Sequence, residues 1–370
     1  MKICFLSDIN SSHTHKWLNF FLEKGYELYV ISLRKGTFEG VTVHSLDIDE
    51  SVAKANTILD KLSYMKKIKE VRNLVREIQP DILHAHYASS YGLLGALTNY
   101  NPYVISVWGS DVYDFPKSSI VCKNVLKYNL KKADFILSTS HVMKRETELY
   151  TNKHIDVTPF GVNIDLFKPS ANPISRDDII IGTVKTLEDK YGIEYLVRAF
   201  SMVCNDLNDY SLKLRIAGTG SQEAFLKGLC KELKIEDKVE FLGFINQTRV
   251  IEEFRNLDIA VFPSTLDSES FGVAAVEAEA CGKPVIVSDC DGLMESTKPN
   301  ETSLVVKKRD YIDLADKLKI LIQDESLRKE MGVRARKYVV DNYNLTDNFN
   351  CVDNLYKDII NKKYLELKSE

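Results

Sequence analysis

Short apolar runs alternate with longer amphipathic stretches along the chain. Short runs of this kind predict buried strands and the stretches between them predict helices, because side chains repeat every two residues in a strand and every 3.6 in a helix. In the first half the predicted strands are 2–7, 27–32, 41–45, 81–85, 103–107, 134–139 and 154–158. The predicted helices are 14–24, 52–78, 89–99, 119–131 and 141–149.

The second half repeats this alternation. Its predicted strands are 178–183, 211–217, 238–242, 258–262, 284–288 and 303–306. Its predicted helices are 192–206, 221–234, 247–255, 272–281, 310–322 and 324–341. The run from Ile259 to Phe262 is apolar at every position, as expected when helices cover both faces of a parallel sheet. We therefore predict an α/β protein with two doubly wound, Rossmann-like domains.

The boundary between the domains is expected near residue 170. Two prolines, Pro169 and Pro173, flank small polar residues there and interrupt regular structure. We predict an N-terminal domain over 1–170, a C-terminal domain over 171–345, and a last helix over 346–370 that packs back toward the N-terminal domain. Open α/β sheets bind ligands beyond the carboxyl ends of their strands, so both domains are expected to face a central cleft.

The composition is that of a globular protein, and the two halves differ in charge. The 370 residues are 44% hydrophobic and 28% charged, which excludes a disordered or low-complexity chain. Residues 1–170 contain 21 basic and 18 acidic side chains, whereas residues 171–370 contain 28 and 35. All seven histidines lie in the first half. The net charge is −4 and no recognition motif is visible, so we expect no nucleic-acid partner.

The first residues and the cysteines indicate a cytoplasmic protein. The apolar run at 3–6 is too short for a signal peptide, and no run approaches the roughly 20 apolar residues of a membrane span. The seven cysteines are widely spaced and form no C-x-x-C motif, so we expect reduced thiols.

The most informative part of the sequence is a polar loop followed by a predicted helix that begins near Gly272. The free N–H groups around Phe271, Gly272 and Val273 would form an anion site at the start of this helix. Glu269 in the loop and Glu277 in the helix flank that site and can accept hydrogen bonds from hydroxyl groups. A nucleotide sugar presents the same order of groups, with a ribose diol, a diphosphate and a hexose diol.

This loop and helix resemble the signature of the retaining glycosyltransferases of family 4, which have the GT-B fold. The signature reads PS…E-x-F-G…E-A-x-A-x-G-x-P-V. The chain matches it at Pro263, Ser264, Glu269, Phe271, Gly272, Glu277, Ala278, Ala280, Gly282, Pro284 and Val285. The resemblance implies that Glu269 holds the donor hexose and that Glu277 holds the ribose hydroxyls.

The resemblance extends to the start of the second domain. The segment 181–192 is similar to the family's G-R-L…K-G stretch, which implies that Lys185 and Lys190 bind the diphosphate. Two cations there would neutralise the diphosphate without a metal, although lysines in such a loop are otherwise often only solvated. Lys185 stands where arginine is more usual, so a bidentate contact becomes a point charge. The family pattern also implies donor contacts at Gly218, in a G-x-G turn, and at Phe244, in the segment that reads the base.

The first domain departs from the family at Trp108. Many relatives have H-G-x-D at this place, with a histidine that contacts the donor hexose, and a tryptophan cannot act as a base. Front-face attack with retention needs no protein nucleophile, so we still expect activity. Asp111 matches the family's acid and is predicted to orient substrate, with capping of the following turn as the alternative.

Other polar residues of the first domain follow strands. His84 and His86 share one face at a strand end, and pocket lining or structural hydrogen bonding is favoured over a metal because no further ligands have suitable spacing. His13 and Lys16 follow the first strand and are predicted to contact the acceptor. The serines of the same loop, such as Ser11, are equally suited to capping the next helix.

Two basic stretches admit two interpretations. Residues 115–133 contain five lysines and no acid, and residues 51–77 contain seven basic and three acidic side chains. A solvated helix face is the default interpretation. The alternative is docking on an anionic membrane surface, at about 1 kcal/mol per basic residue, which would bring the protein to a lipid-linked acceptor on the inner face of the membrane.

The resemblance as a whole implies a bacterial hexosyltransferase. It would move a sugar from a nucleotide sugar, by family habit a UDP sugar, to a glycan or lipid-linked acceptor in cell-surface polysaccharide synthesis. We expect no cofactor and no metal, and we interpret the D-x-D sequences at 47–49 and 289–291 as incidental. The alternatives are a nucleotide-sugar epimerase of the same fold and an inactive sugar-nucleotide-binding protein. A nicotinamide oxidoreductase is disfavoured by the incomplete G-x-G-x-x-E at 218–223.

Overall fold

The structure is a computed structural model that describes residues 1–48, 66–171 and 176–369. Within these ranges the strands form two parallel sheets, one of seven strands and one of six. Helices connect most successive strands of each sheet, whereas a loop without a helix joins the strands Glu27–Ser32 and Thr42–Ser45. This architecture confirms the predicted α/β fold with two doubly wound, Rossmann-like sheets.

The chain divides into two compact units. The first comprises Met1–Phe160 together with Thr346–Glu370, and the second comprises Gly161–Leu345. The division lies at residue 160 and not near the expected residue 170. One reason is that the connecting segment is bonded to the second unit, where the Val162 N–H donates to the Tyr343 carbonyl at 2.7 Å.

The first unit contains the seven-stranded sheet. Its strands are β1 (Lys2–Leu6), β2 (Glu27–Ser32), β3 (Thr42–Ser45), β4 (Ile82–His86), β5 (Tyr103–Val107), β6 (Phe135–Ser138) and β7 (Ile155–Val157). Its helices before residue 160 are α1 (Ser12–Glu23), α2 (Ile68–Ile78), α3 (Ser90–Thr98), α4 (Ser110–Tyr113), α5 (Phe115–Ser118), α6 (Ile120–Lys132) and α7 (His141–Glu148). The strand order is β3-β2-β1-β4-β5-β6-β7, so the chain reverses direction across the sheet between β1 and β4.

The second unit contains the six-stranded sheet. Its strands are β8 (Ile179–Val184), β9 (Leu212–Ala217), β10 (Val239–Gly243), β11 (Ile259–Phe262), β12 (Val285–Ser288) and β13 (Ser303–Val306). Its helices are α8 (Ile193–Asp206), α9 (Glu223–Glu232), α10 (Gln247–Asn256), α11 (Val273–Ala280), α12 (Asp291–Ser296), α13 (Tyr311–Gln323) and α14 (Glu325–Asn342). The strand order is β10-β9-β8-β11-β12-β13, which places the carboxyl ends of β8 and β11 side by side. Ile259, Ala260 and Val261 of β11 are fully buried, as the apolar run predicts.

The last helix, α15 (Leu345–Ser369), packs on the first unit. The Tyr26 hydroxyl donates to the Asp353 carboxylate at 2.6 Å, and the Phe349 ring lies 5.0 Å from the Trp17 ring. Neither this helix nor any other in the described ranges combines the length and the apolar character needed to cross a membrane.

Polar side chains fix the start of several helices. The side chains of Ser119, Ser140, Asn246, Asp310 and Asp324 each accept an N–H from the first turn of the helix that follows. Such N-caps satisfy backbone donors that have no partner within the helix. They explain why these helices begin within about a residue of the predicted positions.

Four short elements were not predicted, namely α4, α5, α12 and a turn of 3-10 helix at Asp189–Tyr191. Each spans only one or two turns, so no hydrophobic repeat can form in the sequence. The predicted helix 52–78 is seen in part as α2, and its residues 52–65 lie outside the described residues.

A glutamate with no exposed surface lies in the core of the second unit. This residue is Glu279 on α11. Burial raises the pKa of its carboxyl to about 8, and the hydroxyl of Thr302 beside it opposes this rise only in part. Tyr338 and Tyr343 are the other titratable groups that its charge affects. Glu279 is therefore protonated at neutral pH.

Substitution of Glu279 by glutamine should remove one source of alkaline destabilisation. The folded carboxyl has a pKa of about 8 against an ordinary value of 4.5, so the folded state holds a proton that the unfolded state has lost. Between these two pKa values, the wild-type free energy of unfolding should fall by about 1.4 kcal/mol per pH unit because of this carboxyl group alone. We expect Glu279→Gln to lack this decline in urea denaturation between about pH 5 and about pH 8. The control is Glu277→Gln, on the same helix but half-buried, which should show the same decline in the free energy of unfolding as wild type. A Glu279→Gln variant with the wild-type slope would show that the decline does not come from Glu279.

Candidate functional site

An ion pair lies at the carboxyl end of β8. Lys185 directly follows this strand, and its Nζ lies 2.6 Å from an Oε of Glu269 in the loop between β11 and α11. The two side chains are 18% and 10% exposed, so the pair is largely shielded from water. The structure thus brings together two residues that the sequence predicts for the donor site.

Lys185 is held in its charged form. Burial lowers the pKa of its ammonium group, but the charge of Glu269, its hydrogen bond and the charge of Glu277 raise the pKa, and the net shift is upward. Glu277 lies on α11 and is half-buried. The two predicted glutamates therefore both act on the same ammonium group.

A second lysine lies near the same aromatic ring as Lys185. The Nζ of Lys185 is 4.4 Å from the centroid of the Tyr191 ring, and the Nζ of Lys190 is 5.0 Å from it. Sequence reasoning did not single out Tyr191. The sequence feature that could have indicated Tyr191 is its position between Lys190 and Gly192, inside the stretch that resembles the K-G of the family.

The loop that carries Glu269 is fixed by polar contacts. The Thr265 N–H donates to the Lys190 carbonyl at 2.8 Å, which ties the loop to the lysine turn. Further along, the Nζ of Lys308 lies 2.8 Å from Asp267. These contacts keep Lys185, Lys190 and Glu269 together in neighbouring loops.

The two D-x-D sequences make ordinary contacts. Asp289 accepts the Lys308 N–H at 2.8 Å, and Asp47 pairs with Lys35 at 2.9 Å. Asp49 lies outside the described residues. Within the described part of the chain, no group of three or more His, Cys, Asp or Glu side chains has an arrangement suited to a metal ion.

The start of α11 depends on Gly272. Its φ of +73° is in the left-handed region, and a Cβ there would collide with the Leu293 side chain. Phe271 is buried with its ring 5.3 Å from the Tyr343 ring, so its side chain packs in the protein and only its backbone remains for a ligand. Val273 begins the helix, as predicted.

The remaining predicted donor residues lie at the ends of β9 and β10. The Gly218 N–H donates to the Gly243 carbonyl at 2.8 Å, which joins the G-x-G turn to the end of β10. Phe244 follows directly and is 82% exposed. The Phe244 ring therefore lies on the surface. Among the described residues, no contact joins it to Lys185 or Lys190.

In the first unit, four aromatic rings form a contiguous cluster. The His13 ring stacks on Phe160 at 4.4 Å, and the Trp108 ring lies 5.8 Å from His13 and 4.6 Å from His86. Lys16 lies three positions after His13 on α1 and is partly buried. The structure therefore groups three of the predicted acceptor residues, His13, His86 and Trp108.

The two strand-end histidines are buried and neutral. Burial lowers the pKa of His84 to about 3, and burial beside the two other imidazoles, His84 and His13, lowers the pKa of His86 well below its ordinary value. His84 hydrogen-bonds Ser106 at 2.8 Å and also contacts Tyr356 of α15. Structural hydrogen bonding, one of the predicted interpretations, therefore describes His84.

Asp111 is fully buried beneath the Trp108 loop. Its carboxylate accepts N–H groups from Ala88 at 2.7 Å, Gly109 at 2.8 Å and Trp108 at 3.1 Å. Burial raises its pKa, and these hydrogen bonds oppose the rise. Asp111 thus holds the backbone of the loop that precedes it, and no side chain caps the short helix α4 in which it lies. Ser11 occupies the N-cap position of α1, but its side chain makes no capping hydrogen bond.

Two family models match the chain. The model described as Glycosyl transferases group 1 matches residues 166–338, and the model described as Glycosyl transferase 4-like matches residues 2–140. Together they cover most of both units.

Individual relatives and structures agree with these matches. An uncharacterised glycosyltransferase of Methanocaldococcus jannaschii is 33% identical over 188 residues, which is 51% of this chain and only 45% of that relative. N-acetyl-alpha-D-glucosaminyl L-malate synthase of Bacillus anthracis is 26% identical over 312 residues, covering 80% of this chain and 78% of that protein. The crystal structure of Anabaena HepE in complex with UDP-glucose has a TM-score of 0.79 at 18% identity, covering 97% of this chain and 100% of HepE.

Proposed function

We propose that this chain, which belongs to the group 1 glycosyltransferases of GT-B fold, transfers a hexosyl group from a nucleotide sugar to an acceptor hydroxyl with retention of configuration. The family and the fold are those predicted from the sequence. The donor, the stereochemistry and the acceptor are the proposal.

The observation that carries the proposal is the Lys185–Glu269 pair with Lys190 beside it. Both ammonium groups lie near one ring, and among the described residues only Lys185 of the two forms an ion pair with a carboxylate. A diphosphate would supply the missing negative charge, and the first N–H groups of α11 would add to its stabilisation. Glu269 and Glu277 then accept hydrogen bonds from the hexose and the ribose. The UDP-glucose bound by HepE supports a donor of this class.

The reaction we propose is a front-face substitution at the anomeric carbon of the donor. The bond from this carbon to the diphosphate oxygen breaks, and the acceptor oxygen bonds to the same face of the sugar. The acceptor proton passes to the leaving phosphate, so the products are a nucleoside diphosphate and a glycoside. Lys185 and Lys190 stabilise the charge that develops on the leaving group, and we therefore expect no metal requirement.

In the first unit, the aromatic cluster is the proposed acceptor side. His13 and Lys16 supply polar contacts to the acceptor. Trp108 and His86 belong to the same aromatic cluster as His13. Asp111 acts on the acceptor only through the Trp108 loop that it holds.

A donor screen tests the proposal directly. Release of nucleoside diphosphate is measured with UDP-, GDP- and ADP-sugars, with EDTA present and with or without glycan acceptors. We expect one nucleotide class to be cleaved, faster with an acceptor and unaffected by EDTA. Isomerisation of the donor sugar without an acceptor would identify an epimerase instead, and absence of binding by all three classes would contradict a nucleotide-sugar enzyme.

Two substitutions should separate binding from turnover with the best donor. Glu277→Ala removes a hydrogen-bond acceptor for the ribose and should raise the donor KM about tenfold with little change in kcat. Lys190→Ala removes a charge that faces the leaving group and should lower kcat by about a hundredfold. The control is Lys227→Ala, which removes an exposed partner of Glu223 and should change neither value. Wild-type kinetics in both site variants would show that the site is placed wrongly.

We also propose that α6 rests on an anionic membrane surface. Its solvent-facing residues are Ile120, Val121, Asn124, Lys127, Tyr128, Lys131 and Lys132. Ile120 is 70% exposed and Val121 48% exposed, and the helix contains no acid. Exposed apolar groups among lysines suit the boundary between lipid head groups and acyl chains. The other basic stretch, 51–77, lies largely outside the described residues.

Vesicle binding tests this surface. We expect the protein to sediment with vesicles of phosphatidylglycerol and phosphatidylcholine at low salt, but not with phosphatidylcholine alone. The double variant Lys127→Glu with Lys131→Glu should bind at least about tenfold more weakly, since each lysine near the surface contributes about 1 kcal/mol. Reversal of two exposed lysines of α14, Lys329 and Lys337, is the matched control and should have little effect. A wild-type protein that stays in solution with anionic vesicles would rule out this surface.

A further inference from the structure

We infer that Tyr191 is a positioning residue of the diphosphate site, whose ring holds the ammonium groups of Lys185 and Lys190 in place for the donor. The inference rests on the proposed function and adds a residue that neither the sequence motif nor the family pattern singles out. It concerns how the site is prepared before the donor arrives.

The two ammonium groups lie close to one ring. Their Nζ atoms are 4.4 and 5.0 Å from the Tyr191 centroid, within the distance of about 6 Å at which a cation is attracted to an aromatic face. Glu269 compensates Lys185, whereas the ring is the shared group that attracts both lysines.

The backbone beneath the ring is fixed on both sides. Tyr191 closes the 3-10 turn through its N–H, which donates to the Glu188 carbonyl at 3.0 Å. The Glu188 carboxylate in turn accepts the hydroxyl of Ser221 at 2.5 Å and the N–H of Ser221 at 3.0 Å, and these two hydrogen bonds lower its pKa. The next residue, Gly192, has φ +66°, and a Cβ there would collide with the Pro263 carbonyl. The backbone that carries the ring is therefore fixed relative to the loop that carries Glu269.

A fixed ring matters more here than it would beside an arginine. A lysine ammonium is a point charge on a flexible four-carbon stem, without the planar fork that orients an arginine on a phosphate. The Tyr191 face restricts where each ammonium can lie. Less freedom is then lost when a diphosphate binds, and this preorganisation increases affinity.

The test compares a nucleoside diphosphate with its nucleoside. UDP binding is measured by calorimetry and uridine binding by ligand-observed NMR, for wild type, Tyr191→Phe and Tyr191→Leu. If the donor screen selects another base, GDP with guanosine or ADP with adenosine replaces this pair. We expect Tyr191→Leu to bind UDP about tenfold more weakly, because two cation–π contacts are lost, and to bind uridine as wild type does. Tyr191→Phe keeps the ring and should bind both ligands as wild type does.

Each other outcome is informative. Equal UDP affinity in Tyr191→Leu and Tyr191→Phe overturns the inference while leaving the donor site intact. An equal loss of UDP and uridine binding in Tyr191→Leu also overturns it, since it would indicate general damage to the site. A wild-type protein that binds none of the three nucleoside diphosphates would overturn the proposed function, and the inference with it.

Discussion

The arrangement of the second unit depends on one buried charge pair, Lys185 with Glu269. Both side chains are largely removed from water, so neither charge is tolerable there without the other. The pair joins the end of β8 to the loop after β11, two strands that are neighbours in the sheet. Under the proposed function, a diphosphate replaces the carboxylate beside the lysine and releases Glu269 to accept sugar hydroxyls.

The distribution of charge is consistent with a diphosphate site beside Lys185. The second half of the chain carries 28 basic and 35 acidic side chains, so its net charge alone would repel an anionic donor. The local arrangement outweighs the total, since Lys185, Lys190 and the first turn of α11 lie around the same loops. The first half has the opposite balance, and α6 concentrates lysines with exposed apolar side chains on one face.

Much of the fold could be predicted because the strands are short apolar runs between turn residues, and nearly all of them lie within a residue or two of the predicted bounds. Glu269 and Glu277 were predicted as site residues because the loop and helix that contain them resemble the family signature. Tyr191 could not be found in that way, because its role appears only when the chain brings two lysines over its ring. The contacts of Asp111 could not be predicted from the sequence either. Its carboxylate accepts three backbone N–H groups from two loops that come together only in the folded chain.

The central claim is that Glu269 leaves Lys185 to hold the donor sugar, and one comparison of affinities tests it most directly. Calorimetric titrations of the preferred nucleotide sugar and of its nucleoside diphosphate are made with wild type and with Glu269→Gln. We expect the variant to bind the nucleoside diphosphate at least as tightly as wild type, since Lys185 is released, but to gain much less affinity from the attached sugar. Equal loss of both ligands, or unchanged affinity for the nucleotide sugar, would contradict it.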